Sequence, residues 1–193
     1  MNPTSQRWSK HLWPWLAMVL ILTAASFQLR SQGRSWWCAC GRPYLWVSDA
    51  QGPHNSQHLL DPYSFTHVLH GLLLCGLLVW VVPRLAPAWQ LFLAVCVETL
   101  WEVFENSAFV IQRYRAATMA LGYEGDTIAN SLGDILCCAI GFLLARRLGL
   151  WGSVALFLLT EVVLLLWIHD SLLLNVVMLI YPIDAIKAWQ TAP

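Results

Sequence analysis

Charge is what this chain has least of. Only 11% of its 193 residues are Asp, Glu, Lys or Arg, and the formal net charge is zero. An ordinary soluble domain carries about 25% charged residues. With no basic surplus, nucleic acid is not expected as a partner. Several catalytic signatures are missing too. There is no G-x-S-x-G, no H-E-x-x-H and no Walker A motif. The paired Glu-x-x-His motifs of di-iron bundles are absent, and Asn55-Ser56-Gln57 misses the glycosylation sequon. No internal repeat or low-complexity segment is found, which removes the usual sign of an inverted-repeat transporter. The six cysteines form no evident framework. Cys75, Cys96, Cys137 and Cys138 lie in apolar segments, and Cys38 and Cys40 make a lone C-x-C in a loop with no second pair.

What fills the space is apolar. The chain is 58% hydrophobic, with mean hydropathy +0.57, so it reads as one integral membrane domain over 1–193. Twelve tryptophans are present, and several, including Trp13, Trp15, Trp36, Trp37, Trp80, Trp89, Trp151 and Trp167, flank apolar runs, as in interfacial aromatic belts. The expected fold is all-α, a polytopic bundle. About five transmembrane helices are expected at 13–29, 66–82, 88–111, 127–148 and 150–168. Each is near the roughly 20 residues a span needs. The stretch 172–183 is too short and reads as a re-entrant or interfacial helix, or a short sixth span. The loop 30–65, rich in Gly, Pro and Trp, is long enough to be a functional lid or binding loop. Segment one, preceded by Arg7 and Lys10, also has the outline of a signal peptide; an uncleaved anchor is the preferred reading. The positive-inside rule gives a tie between the two orientations. Setting aside Arg113 and Arg115 as candidate site residues favours an inner N-terminus and a site facing the periplasm.

Alternating spans bring three polar groups to one leaflet. His67 and His70 open the second segment. Glu98, Glu102 and Glu105 lie late in the third, at i, i+4, i+7 on one helical face. Asp126, Asn130 and Asp134 open the fourth, at i, i+4, i+8. Ionisable groups at such depth are costly and mark function more often than packing. Three carboxylates on two turns cannot all stay ionised without a cation, an arginine or a shared proton. A structural ion-pair network with Arg113 and Arg115, a metal or acid–base site, and a proton or ion path all satisfy that requirement. The metal set expected is His67, His70, Glu102 and Glu105, with zinc or iron as the divalent ion. Catalytic candidates are His70, Glu98, Glu102, Glu105 and Asp126. Asp126 is equally placed to be a helix N-cap. Arg113, Arg115, Asn130 and Asp134 are the candidate substrate-binding residues. Gly133 beside them permits close helix approach. His54, His58 and Asp61 join the site only if the loop folds inward. His169 and Asp170 reach the same leaflet but rank lower.

Four stretches carry a resemblance: SQHLLDPYSFTHVLHG, WEVFENSAFVIQRYRAAT, GDTIANSLGDILCCAIGFLLARRL and LNVVMLIYPIDAIKAWQ. Together they resemble the bacterial membrane-protein family catalogued as domain of unknown function 2585 (UPF0314), over about residues 36–190. The resemblance implies a multi-pass protein of the bacterial inner membrane and implies no mechanism. A looser likeness is to VanZ-like membrane proteins, with His70, Glu98 or Glu102, Arg113, Asp126, Asn130 and Gly133 in the matching positions. The extra glutamates and second histidine depart from that pattern. Two functional readings follow. One is an intramembrane enzyme, a metal-dependent hydrolase, acting on a lipid or lipid-linked envelope substrate at the outer leaflet. The other is a non-catalytic lipid- or ion-binding module or complex subunit, its carboxylates neutralised by the two arginines and no cavity open to lipid or water.

Overall fold

The computed structural model describes residues 3–118 and 122–190; the side chains of residues 3–11, Arg7 and Lys10 among them, lie outside that description. Seven helices make up the described chain: α1 (Pro3–Ser31), α2 (Ser64–Val81), α3 (Pro87–Glu105), α4 (Ala108–Ala117), α5 (Ile128–Ile168), α6 (Leu172–Ile180) and α7 (Asp184–Gln190). Among the described residues there is no strand, only an isolated bridge between Trp46 and Leu60 in the α1–α2 loop.

Local chemistry places the boundaries. Pro83 cannot continue α2, and Pro87, with φ already near the helical value, starts α3. Side-chain oxygens of Ser107, Thr127 and Ser171 accept from Val110, Asn130 and Leu174 backbone N–H groups and so cap α4, α5 and α6. The expected segment 88–111 is therefore two helices, broken at Asn106–Ser107. The expected helix 172–183 stops at Ile180, and α7 begins after Pro182.

Three helices are long and apolar enough to cross a membrane: Leu12–Ser31, Ser64–Val81 and the 41-residue α5. That is fewer than the five expected, for two physical reasons. α3 has a spanning length of 19 residues but carries three glutamates. The two expected segments 127–148 and 150–168 join into α5. At ~1.5 Å per residue a straight α5 would be twice as long as the bilayer core is thick. It is not straight: Gly149 adopts φ 69°, ψ −173°, in the left-handed φ region that favours glycine. Beyond it the chain returns, because Trp167 stacks on Trp46 at 6.1 Å, and Tyr63 Oη donates to Asp170 at 3.2 Å. Both contacts lie at the end of α2 where Ser64 meets Asp134, near the start of α5.

α2 and the first half of α5 pack at backbone contact. A Cβ on Gly71 would overlap the Cys138 carbonyl oxygen, one on Gly141 the Val68 carbonyl, and one on Gly133 the Leu59 carbonyl. Small residues at such crossings let helices associate by close van der Waals contact where no hydrophobic drive acts between them. The core around this seam holds Leu69, Leu72, Cys75, Leu91, Ala94, Val95, Ile135 and Phe142. Outward faces are apolar instead of polar: Val19, Leu20, Phe27, Leu73, Leu77, Trp80, Leu158, Leu159, Val162 and Leu166 are all exposed. Water would penalise that surface; a bilayer would not.

Candidate functional site

α2 and α3 form an antiparallel hairpin, so the start of α2 meets the end of α3. His67 Nδ1 lies 2.5 Å from Glu98 Oε1 and 3.3 Å from Glu102 Oε1; its Nε2 lies 3.8 Å from Asp134 Oδ2. His70 Nδ1 lies 2.9 and 3.0 Å from the two oxygens of Glu98. The i, i+3 spacing on α2 thus lets both imidazoles share one carboxylate. His67, Glu98, Glu102 and Asp134 are all buried. Glu102 is the odd one: it is fully buried, and neither carboxylate oxygen has a hydrogen-bond donor among the described residues. A buried polar group in that state is costly unless a further partner or a proton supplies what is missing.

Asp134 accepts from Ser64 Oγ at 2.7 Å, and that serine also accepts from the Asp61 N–H at 3.1 Å. Asp61 folds inward with the loop. Its carboxylate takes the backbone N–H groups of Ser56 (2.9 Å) and Tyr63 (2.8 Å) and the Asn130 amide (3.3 Å). Thr127, and not Asp126, is the N-cap of α5. Asp126 instead accepts from Asn106 Nδ2 at 2.8 Å and Tyr123 Oη at 2.9 Å, while its own N–H donates to Asn106 Oδ1 at 2.7 Å. Glu105 accepts from the Tyr114 hydroxyl. In the loops before α2 and α5, burial raises the Asp61 and Asp126 carboxyls above the usual range, with those hydrogen bonds opposing it. Burial likewise pushes Asp170 up to about 6.

A cavity of about 810 Å³ opens beside this cluster. Its lining mixes ionisable side chains (His67, His70, Glu105, Asp126, Asp134 and Asp170) with apolar ones (Trp101, Leu172, Val176 and Leu179), as ligand pockets commonly do.

Of the residues singled out from sequence, His67, His70, Glu98, Glu102, Glu105, Asp126, Asn130 and Asp134 come together in one connected region. Arg113 and Arg115 do not join it. Arg113 donates to the Leu179 and Ile180 carbonyls at 2.8 and 3.0 Å, closing the C-terminal end of α6. Arg115 donates to the Tyr123 carbonyl. The ion pairs of the cluster are histidine to carboxylate. His54 and His58 sit apart from Asp61, against Cys38 and Cys40. Asp170, ranked low from sequence, lines the cavity; the His169 ring lies tilted against Trp189 at 5.1 Å. Asn106, Tyr114 and Tyr123 were missed. Glu105-Asn106-Ser107 carried a helix-stop signal that could have exposed Asn106; nothing local marks either tyrosine.

Two groups in this region have ligand atoms close enough to hold one metal ion: His67, His70 and Glu98, and His67, Glu102 and Glu105. They share His67. Nitrogen and carboxylate oxygen donors in that ratio suit zinc or iron.

Comparison with known proteins agrees with the sequence pattern. The family model described as "Protein of unknown function (DUF2585)" matches residues 29–192. A UPF0314 protein of Paracoccus denitrificans (strain Pd 1222) is 42% identical over 179 residues, 93% of each chain. One from Sphingopyxis alaskensis is 42% identical over 176 residues, 91% of this chain and 94% of the relative. One from Brucella anthropi is 40% identical over 190 residues, 98% of this chain and 95% of the relative. No solved structure matches. The protein belongs to the DUF2585 (UPF0314) family.

Proposed function

We propose that this is a multi-pass protein of the bacterial inner membrane that binds one divalent metal ion, zinc or iron, at His67, Glu102 and Glu105. In this reading it hydrolyses a lipid or lipid-linked envelope molecule entering from the outer leaflet. The observation that carries the proposal is the unbalanced charge. Glu98, Glu102, Asp126 and Asp134 are buried together. Among the described residues their ion-pair partners are two imidazoles, and neither Glu102 oxygen accepts a hydrogen bond. Carboxylates in such a setting call for a cation or for protons. The arginines that would make a purely structural network are occupied elsewhere by backbone carbonyls, which counts against the non-catalytic ion-pair reading.

The remaining roles follow from contacts. Glu98 grips both imidazoles at Nδ1 and fixes their orientation; a metal held by His67 Nδ1 with Glu102 would take the place of the His67–Glu98 bond. Asp134, held by Ser64, faces the other nitrogen of His67 and steers its tautomer. His70 reaches the cavity wall and is the group available to take a proton from water and return it to a leaving group. The metal would supply Lewis acidity and a more acidic bound water. The envelope substrate is suggested by the cavity's mixed lining of ionisable and apolar residues.

The test is metal content and hydrolysis on the full chain purified in detergent. Wild type and Arg113→Ala should retain one more equivalent of zinc or iron than Glu102→Gln. Hydrolysis of co-purified or added envelope lipids should fall with the metal. Equal metal in wild type and Glu102→Gln at a site unaffected by His67→Ala would refute the proposal; metal without any hydrolysis would leave the ion-binding module as the better reading.

A further inference from the structure

The α1–α2 loop contains a second donor cluster, remote in kind from the carboxylate site. Cys38, Cys40, His54 and His58 each offer one ligand atom, and the four atoms lie within 4.8 Å of one another. Cys38 Sγ is 3.5 Å from His54 Nδ1, Cys40 Sγ is 3.9 Å from His58 Nε2, and the two ring nitrogens are 3.3 Å apart. Tetrahedral zinc binds sulfur at about 2.3 Å and nitrogen at about 2.05 Å. Those bond lengths imply edges of about 3.35 Å between nitrogens and about 3.55 Å between nitrogen and sulfur. Those three edges therefore match a four-coordinate zinc polyhedron to within a few tenths of an ångström, and the remaining three are no longer than 4.8 Å.

We infer that this loop holds a structural zinc ion through Cys38, Cys40, His54 and His58. The backbone is shaped for it. Gly41 N–H donates to the Cys38 carbonyl at 3.2 Å, closing a tight turn over the C-x-C, and Gly41 takes φ +72°, in the left-handed region. Cys40 N–H points at Cys38 Sγ, 3.4 Å away, as an amide does that stabilises thiolate charge. On the other side, His54 and His58 follow the H-x3-H spacing of zinc sites. His58 is buried and lies 4.9 Å from the Tyr44 ring. Its Nδ1 accepts from Tyr44 N–H at 3.3 Å; metal binding at Nε2 shifts the ring proton to Nδ1 and opens that long contact. Two sulfur and two nitrogen donors select zinc over the hard cations, and four protein ligands leave no open position, which makes the site structural. The loop between α1 and α2 has a single isolated bridge for secondary structure. A metal clip therefore supplies order that its backbone does not, and it fastens the segment that roofs the cavity, where Cys38 is a lining residue. The inference stands without the proposed hydrolytic function.

Cobalt(II) reports this site alone, since only thiolate ligands give an intense near-ultraviolet charge-transfer band. Full-length protein is purified in detergent under reducing conditions, stripped with chelator and titrated with cobalt(II), then zinc. The expected result is a saturable band that zinc bleaches. Cys40→Ser and His54→Ala should weaken zinc binding at least tenfold, and Glu102→Gln should leave the band unchanged. Absence of the band in wild type overturns the inference, whatever the variants do. So does a Cys38–Cys40 disulfide in freshly isolated protein by thiol counting, or undiminished zinc affinity in the Cys38→Ser/Cys40→Ser double variant.

Discussion

Replacing Gly71 by alanine adds one methyl group at one of the two tightest points of the α2–α5 seam. In an unpacked helix this change stabilises, by up to ~1 kcal/mol, because alanine orders at lower entropic cost. Here the new methyl lands on the Cys138 carbonyl oxygen and next to the Phe142 amide. Both are backbone atoms in the middle of a helix, so neither can swing aside as a side-chain end would. The helices must part by ~1 Å at the crossing, and a gap of ~0.5–1 Å forfeits a quarter to a half of the dispersion well at every atom pair nearby. Overpacking of this kind costs ~1–3 kcal/mol. Gly76, five residues along the same helix, has nothing within 4 Å of its added Cβ. Gly76→Ala should therefore be neutral or stabilising, and Gly71→Ala should lose ~1–2 kcal/mol net. For a chain of this size that is a fall of several degrees in Tm, read by thermal unfolding in a fixed detergent. Gly141→Ala, which meets the Val68 carbonyl, should cost a similar amount. The double variant should cost less than the sum, because one separation relieves both clashes. The Ser64–Asp134 bond spans the same two helices, so metal retention at the carboxylate cluster should fall with Gly71→Ala. Equal Tm for Gly71→Ala and Gly76→Ala would refute the seam.

Two further outcomes follow from buried polar groups. Asp170 is pushed up to about 6 by burial, above its ordinary 3.8, so its protonated form is the one folding favours. Its contribution is fully present below pH ~4 and is lost as pH rises through 6. It amounts to ~3 kcal/mol at ~1.4 kcal/mol per unit. Asp170→Asn should flatten the fall in Tm between pH 4 and 7, and a slope unchanged from wild type would show that Asp170 does not titrate as described. Asn106 ties the end of α3 to the start of α5 by donating to the Glu102 carbonyl (3.1 Å) and Asp126 Oδ2 (2.8 Å) and accepting from Asp126 N–H (2.7 Å). Asn106→Ala leaves a buried carboxylate and a buried amide short of partners, at ~1–3 kcal/mol for each unsatisfied group; denaturation midpoints within error of wild type would contradict those contacts.

How much of this could be read along the chain depends on distance in sequence. Glu98, Glu102 and Glu105 had to share a face because helix geometry is periodic. His67 and His70 had to meet them because Pro83 and Pro87 force α2 and α3 into a hairpin. The low charge and apolar outer faces made a membrane the only solvent in which those helices are comfortable. The partners of Arg113 were not legible: its guanidinium closes α6 (residues 172–180), more than sixty positions away. Glu105 stood nearer in sequence but points elsewhere. Nor was Asp126's pairing with Asn106, since an Asp before a Thr and an apolar run reads equally as a cap. The C-x-C looked solitary because its partners are histidines fourteen and more residues along an irregular loop, whose course no periodicity sets. Helical repeat and proline placement by themselves determined which groups share a face and a membrane depth. Which of those groups touch was decided only when close packing at Gly71, Gly133 and Gly141 drew the helices and loop together, because contacts between distant segments depend on shape at ångström scale and not on composition.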